Sequence, residues 1–197
     1  MIITLKEKEF IIVGGPNGSG KTTLARELIA DQEITYISAD DIAYELSPEN
    51  PESVRVQAGK EFFKRLKSSI LRGENVLVES TLSGKSLSSI IKRYRREYGY
   101  TITIFFVYLD DSDTCFDRVN ARFLKGGHFV PEEDVRRRFF RSIDNFWNLY
   151  RNFSDKWSIV YNSDDSFEEV AQKKNEEELV LDDNLFIRFK NKLENHE

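Results

Sequence analysis

The chain has one cysteine, Cys115, and two histidines. A lone thiol excludes an intrachain disulfide and an all-cysteine zinc site, and two histidines argue against a histidine-rich metal cluster. With 4 prolines and 10 glycines in 197 residues, little material is left for low-complexity linkers. Long apolar runs are missing as well. The longest, Ile102 to Leu109, falls far short of the ~18 residues that a membrane span requires. Near the N-terminus, Lys6 to Glu9 break the apolar character and Gly14-Gly15-Pro16 ends the short run behind them, which is not the pattern of a secretory signal. A cytoplasmic protein is expected. Basic residues do not predominate: 29 Lys and Arg against 34 Asp and Glu give a net charge of -5. That balance argues against coating nucleic acid through bulk charge and leaves room only for a local basic patch. What is present, 40% hydrophobic and 32% charged residues, is the balance of a globular chain whose length suits one domain with a sizeable core.

Strand-like and helix-like periods alternate along the sequence. Phe10 to Val13 reads as a buried strand ended by Gly14 and Gly15, and a helical pattern runs from Lys21 to Ala30. Thr35 to Ser38, Asn75 to Glu79, Thr101 to Leu109 and Trp157 to Tyr161 read as four further strands. Between them, Ala58, Phe62, Leu66 and Ile70 repeat every four residues and predict a helix over about 51–72. Leu87, Ile90, Ile91 and Tyr94 mark another helix. Phe116, Val119 and Phe123 mark one that ends at Gly126-Gly127. Pro131, Glu132 and Glu133 open the clearest helix of all, whose stripe of Val135, Phe139, Ile143, Phe146, Tyr150 and Phe153 is read as core rather than as a base-stacking surface.

Alternating strands and helices predict an α/β fold of three layers, with a five-stranded, mainly parallel sheet and right-handed crossovers. Residues 1–170 are expected to form this unit, with a helical lid at about 118–141. Residues 171–197, including the acidic run Glu176-Glu177-Glu178, are expected to form a short element packed on its outside. In such sheets ligands bind at the carboxyl ends of the strands.

The strongest chemical signal is Gly15-Pro16-Asn17-Gly18-Ser19-Gly20-Lys21-Thr22, which fits the phosphate-binding loop pattern and lies between a strand and a helix. Its glycines let backbone amides turn toward phosphate oxygens, and the following helix directs its positive dipole end at the same anion. Lys21 is expected to reach the outer phosphates of ATP and the Thr22 hydroxyl to ligate magnesium. A second Gly-Lys-Ser, at Gly84-Lys85-Ser86, lacks the opening glycine, because Glu79 stands there; it reads as a loop running into a helix.

Asp40 and Asp41 follow the second strand on the ligand edge. One carboxylate is placed to take a proton from an attacking hydroxyl and the other to cap the next helix; Asp40 is the expected base. Glu79, the first charge after an apolar strand, suits the water shell of a magnesium ion or a substrate hydroxyl, with a solvent-facing strand end as the plain alternative. Arg118 and Arg122 share a helix face, Gly126-Gly127-His128 follows as a hinge, and Arg136, Arg137, Arg138 and Arg141 come next. A basic segment of this kind suits a lid that closes over ATP and neutralises charge on the transferring phosphoryl group. Cys115 is read as a small buried apolar residue.

Gly14 through Thr23, taken with Ser38-Ala39-Asp40-Asp41-Ile42-Ala43, Leu46 to Pro51, Glu79 to Gly84 and Gly126 to Pro131, resembles the zeta toxin family of phosphate-loop kinases, especially its short stand-alone branch, over about residues 9–165. The resemblance implies use of ATP and magnesium to phosphorylate the 3′-hydroxyl of the sugar in UDP-N-acetylglucosamine, and neutralisation by a small antitoxin protein. It implies Lys21, Asp40 and Arg122 as catalytic residues, with Arg118, Arg136 or Arg138 as the partner arginine. Gly15, Pro16, Asn17, Gly18, Ser19, Gly20, Lys21, Thr22 and Thr23 would hold the nucleotide, and Asp40, Glu79, Thr81, Arg118 and His128 the acceptor. The chain departs from the family's best-known members in its short length and in its lid Gly-Gly-His. Other readings of the residues are a nucleoside or polynucleotide-end kinase, or a nucleotide-gated interaction module without catalysis.

Overall fold

A computed structural model describes residues 8–30, 32–127, 129–163 and 166–194. The first apolar run forms β1 (Glu9–Gly14), wholly buried, with β3 (Val76–Ser80) on one side and β4 (Thr101–Tyr108) on the other, both parallel to it. β2 (Thr35–Ile37) pairs with the outer side of β3, and β5 (Lys156–Asn162) with the outer side of β4, again in parallel. Strands buried on both faces have no reason to alternate polar and apolar residues, and so β1 and β4 read as continuous apolar runs.

Among the described residues the sheet holds seven strands in the order β2-β3-β1-β4-β5-β6-β7, not the expected five. The two additions are β6 (Phe167–Lys174), antiparallel to β5, and β7 (Glu177–Val180), antiparallel to β6. They escape a hydrophobicity reading because they form a polar edge hairpin in which every residue of β7 is exposed. Its turn, Asn175 and Glu176, takes positive φ at both positions (52° and 65°), the geometry whose twist matches a tight hairpin. Glu177 and Glu178 therefore lie on an exposed strand.

The faces of the sheet are covered unequally. Alternate residues of β1 point to opposite sides: Ile11 and Val13 join Leu24, Ala25 and Leu28 of α1 (Lys21–Ile29) in one cluster. Phe10 and Ile12 join a larger cluster on the other side. It takes in α2 (Ala39–Leu46), α3 (Arg55–Arg72), α4 (Ser86–Tyr98), α5 (Ser112–Leu124), α6 (Glu132–Asn148) and α7 (Asp183–Glu194). The predicted 51–72 helix is divided, with a short 3-10 turn at Pro51–Val54 leading into α3. The aromatic stripe on α6 is core: Phe146 is fully buried and stacks on Phe106 of β4 at 4.4 Å, with Phe189 of α7 and Trp157 of β5 against its edges. Among the described residues no helix is long and apolar enough to cross a membrane.

Candidate active site

The loop between β1 and α1 is a nest enforced by crowding. Gly18 (φ 79°) passes so close to α5 that a Cβ would collide with the Cys115 carbonyl. At Gly20 (φ 96°) a Cβ would strike the Asn162 side chain. Asn162, at the end of β5, donates from Nδ2 to the Ser19 carbonyl at 2.8 Å and so fixes the far wall of the nest. Cys115 is buried behind the loop, and burial pushes its thiol up to about 12, which leaves it protonated and unreactive.

Lys21 opens α1 and folds back over the loop, its Nζ donating to the Pro16 carbonyl at 2.7 Å. Burial holds its pKa below the usual lysine value; the charges of Glu79 and Asp40 act in the opposite direction, and Arg122 acts with burial. An ammonium partly withdrawn from water and hydrogen-bonded to a neutral carbonyl is suited to an anion. The Thr22 hydroxyl donates to Glu79 Oε2 at 2.9 Å, and the Tyr36 phenol donates to Glu79 Oε1. Among the described residues, Ser19 Oγ and Asn17 Oδ1 are buried without a hydrogen-bond partner. An orphaned serine hydroxyl in a glycine cradle beside a half-buried cation, with the Thr22 and Glu79 oxygens at its foot, fits a nucleotide phosphate chain and a hard divalent ion.

The helix cap next to this nest is Ser38, whose Oγ accepts from the Asp41 N–H at 3.3 Å. The expected division of labour between Asp40 and Asp41 thus takes another form. The cap falls to a serine, leaving both aspartates in the first turn of α2. Asp40 faces an open cleft of about 1100 Å³ that it shares with Lys21, Thr22, Glu79, Thr81 and Arg122. A second open pocket, lined by Ala43 and Ala58 and flanked by Arg55, shares Asn17, Ala39, Asp40 and Arg138 with the first. Burial of Asp41 raises its pKa, and Asp40 and Glu45 add to that effect while Arg26 opposes it.

The arginines of the expected lid divide by direction. Arg122 and Arg138 line the cleft. Arg138 is held by Asp134 at 3.0 Å; its pKa is lowered by burial, with Asp134 opposing. Arg136 turns outward to Glu132 and Asp113, and Arg137 to Asp134. Arg118 is not among the residues that line either cavity, and Thr23 is exposed at the start of α1. His128 lies outside the described residues. The carbonyl of Gly126, at the expected hinge, accepts from the Tyr44 hydroxyl of α2 at 3.0 Å. Gly84 and Ser86 of the false phosphate loop run into α4 at the edge of the same cleft.

Sequence reasoning missed Ser38, Tyr36 and Asn162. Ser38 carried a signal, since a serine three residues before an acidic residue at a helix start is a capping pattern. Tyr36 and Asn162 carried none, because their hydrogen bonds cross between strands and loops far apart in the chain.

The family described as "AAA domain" matches residues 10–141. An uncharacterised protein of Haemophilus influenzae is 32% identical over 135 residues, covering 68% of this chain and 94% of that protein. In fold, the chain is similar to one in the AvrRxo1-ORF1:AvrRxo1-ORF2 complex solved with ATP (TM-score 0.71, 14% identity, 93% of this chain), and it spans 63% of that chain's length. It is similar also to the PezAT chromosomal toxin-antitoxin system of Streptococcus pneumoniae (TM-score 0.67, 17% identity, 98% of this chain and 88% of that one). At these identities the two likenesses are of fold, and they agree with the resemblance to the zeta toxins.

Proposed function

The chain belongs to the AAA-domain family, and on that premise we propose that it is a magnesium-dependent ATP phosphotransferase acting on a hydroxyl of a small acceptor. The observation that carries this reading is the sharing of one cleft by Lys21, Asp40 and Arg122, with no helix-capping duty left for Asp40. The loop amides and Lys21 hold the phosphate chain. Thr22, with Glu79 behind it, would hold magnesium, which when bound supplies positive charge at the phosphates. The acceptor hydroxyl lies between Asp40 and the γ-phosphate. As its oxygen bonds to phosphorus, its proton passes to Asp40 and the bond from phosphorus to the bridging oxygen breaks, so that ADP leaves. Arg122 and Arg138 balance charge on the transferring group, and the half-enclosed cleft keeps water from competing once the lid closes.

In this reading the kinase unit spans about 1–170, with 118–141 as its lid, and the C-terminal extension joins it through β6 and β7, which continue its sheet, and through α7, which packs on its core. The nucleotide sugar UDP-N-acetylglucosamine is the first acceptor to try, in keeping with the zeta-toxin resemblance, and a small antitoxin protein in the cytoplasm is the expected partner, by analogy with the PezAT system.

The test is incubation with γ-labelled ATP, magnesium and a cell metabolite extract, with UDP-N-acetylglucosamine in the first panel, followed by mass identification of whatever gains a phosphate. Label moving onto an alcohol as a phosphate ester is the expected result. Nucleotide-dependent partner binding with no acceptor labelled would overturn it in favour of a non-catalytic module.

A further inference from the structure

Glu79 is held at both ends of its carboxylate. Thr22 donates to Oε2 at 2.9 Å from the first turn of α1, and Tyr36 donates to Oε1 from β2. The sheet register explains the second contact. Tyr36 sits opposite Leu77, so that Glu79, two residues on, lies diagonally across on the same face. That face is the α1 side, where the Tyr36 ring packs against the cluster around Leu24 and Leu77. A phenol that served only this packing would have no need of its hydroxyl.

The chemistry of Thr22 gives the hydroxyl a purpose. A threonine side chain has one O–H proton and two acceptor lone pairs. With the proton committed to Glu79, the lone pairs are directed elsewhere, and the oxygen is turned into a fixed donor toward a cation. The orientation lasts only while the carboxylate stays in place, and a glutamate has several torsions through which to swing. Magnesium tolerates little departure from octahedral geometry.

We propose that Tyr36 is a positioning residue for the metal half of the site, anchoring Glu79 so that the Thr22 hydroxyl keeps its lone pairs toward the ion bound with ATP. The inference rests on the phosphotransferase reading above. Of the two roles that its place at the strand end suits, the water shell of magnesium or a substrate hydroxyl, this assigns Glu79 to the metal side. Burial, and then the hydrogen bond to Glu79, raise the Tyr36 pKa, so the phenol remains a donor throughout the neutral range.

The test reads metal coupling rather than turnover: the affinity of the full chain for ATP with magnesium, divided by its affinity in excess chelator. Tyr36→Phe keeps the ring and is expected to lower this ratio roughly ten-fold, the worth of one hydrogen bond to a charged group, with the metal-free affinity unchanged. Glu79→Gln is expected to lower the ratio too, and the double variant to lose no more than Glu79→Gln alone. An unchanged ratio in Tyr36→Phe, equal losses with and without metal, or additive losses in the double variant would each overturn the proposal. A wild-type measurement guards against a variant that fails to fold: the ring carbon bearing the Tyr36 hydroxyl, observed by NMR in tyrosine-labelled protein, should shift when magnesium is added to the ATP complex. No shift contradicts the anchoring role. If the wild-type chain shows no metal-dependent ATP binding, the phosphotransferase reading itself fails; if it does and Tyr36→Phe is indifferent, this inference alone fails.

Discussion

Replacing Asp40 with asparagine separates catalysis from folding, because the structure assigns the cap of α2 to Ser38 and leaves Asp40 exposed in the first turn. An amide cannot take the acceptor's proton, so the rate of transfer should fall by the ~10²–10⁴ that a positioned base contributes. Loss of an exposed side chain without a cap role should change stability by no more than about 0.5 kcal/mol. Ser38→Ala is the mirror experiment. It removes the bond from the Asp41 amide at 3.3 Å, at a cost of about 1 kcal/mol or about 2–4 °C in Tm for a chain of this size, and should spare most of the activity. Phosphate transfer, ATP affinity and thermal unfolding are measured on both variants. An Asp40→Asn protein that keeps full activity, or that loses as much stability as Ser38→Ala, would refute the division of roles.

Three other outcomes follow from the same geometry. ATP binding should take up protons at alkaline pH, because burial holds free Lys21 below its ordinary value of 10.5 and bound phosphates favour the charged ammonium; calorimetry in buffers of different ionisation enthalpy reads the sign, and net release would contradict it. Asn162→Ala frees the Ser19 carbonyl and should weaken ATP about three- to ten-fold with and without magnesium alike, in contrast to Tyr36→Phe. Phe146→Ala empties the aromatic stack on Phe106 and should cost about 3–5 kcal/mol, seen as a Tm lower by about 6–20 °C.

Legibility of the sequence followed the range of the interactions. The phosphate loop could be read outright, since its glycines, lysine and threonine act through local backbone geometry. The five parallel strands and the α6 stripe were equally plain, because burial on both faces or on one helical face leaves a period in the chain. The β6-β7 hairpin was hidden by its own solvent exposure. Direction was hidden as well: nothing in the spacing of Arg122, Arg136 and Arg138 tells which turn into the cleft, since that depends on acidic partners such as Asp113 and Asp134. Asp40 stood out as a charge at a strand's carboxyl end, and its release from capping, hinted at by Ser38 three residues before Asp41, is fixed by the Ser38 hydrogen bond.

The most direct test of the account is a crystal structure of the chain with magnesium, a non-hydrolysable ATP analogue and its acceptor bound together. The account predicts one acceptor hydroxyl within about 2.6–3.2 Å of an Asp40 carboxylate oxygen, with the oxygen of that hydroxyl facing the γ-phosphorus opposite the leaving bridge. An acceptor hydroxyl out of reach of Asp40, or a γ-phosphate pointed away from the cleft, would contradict it.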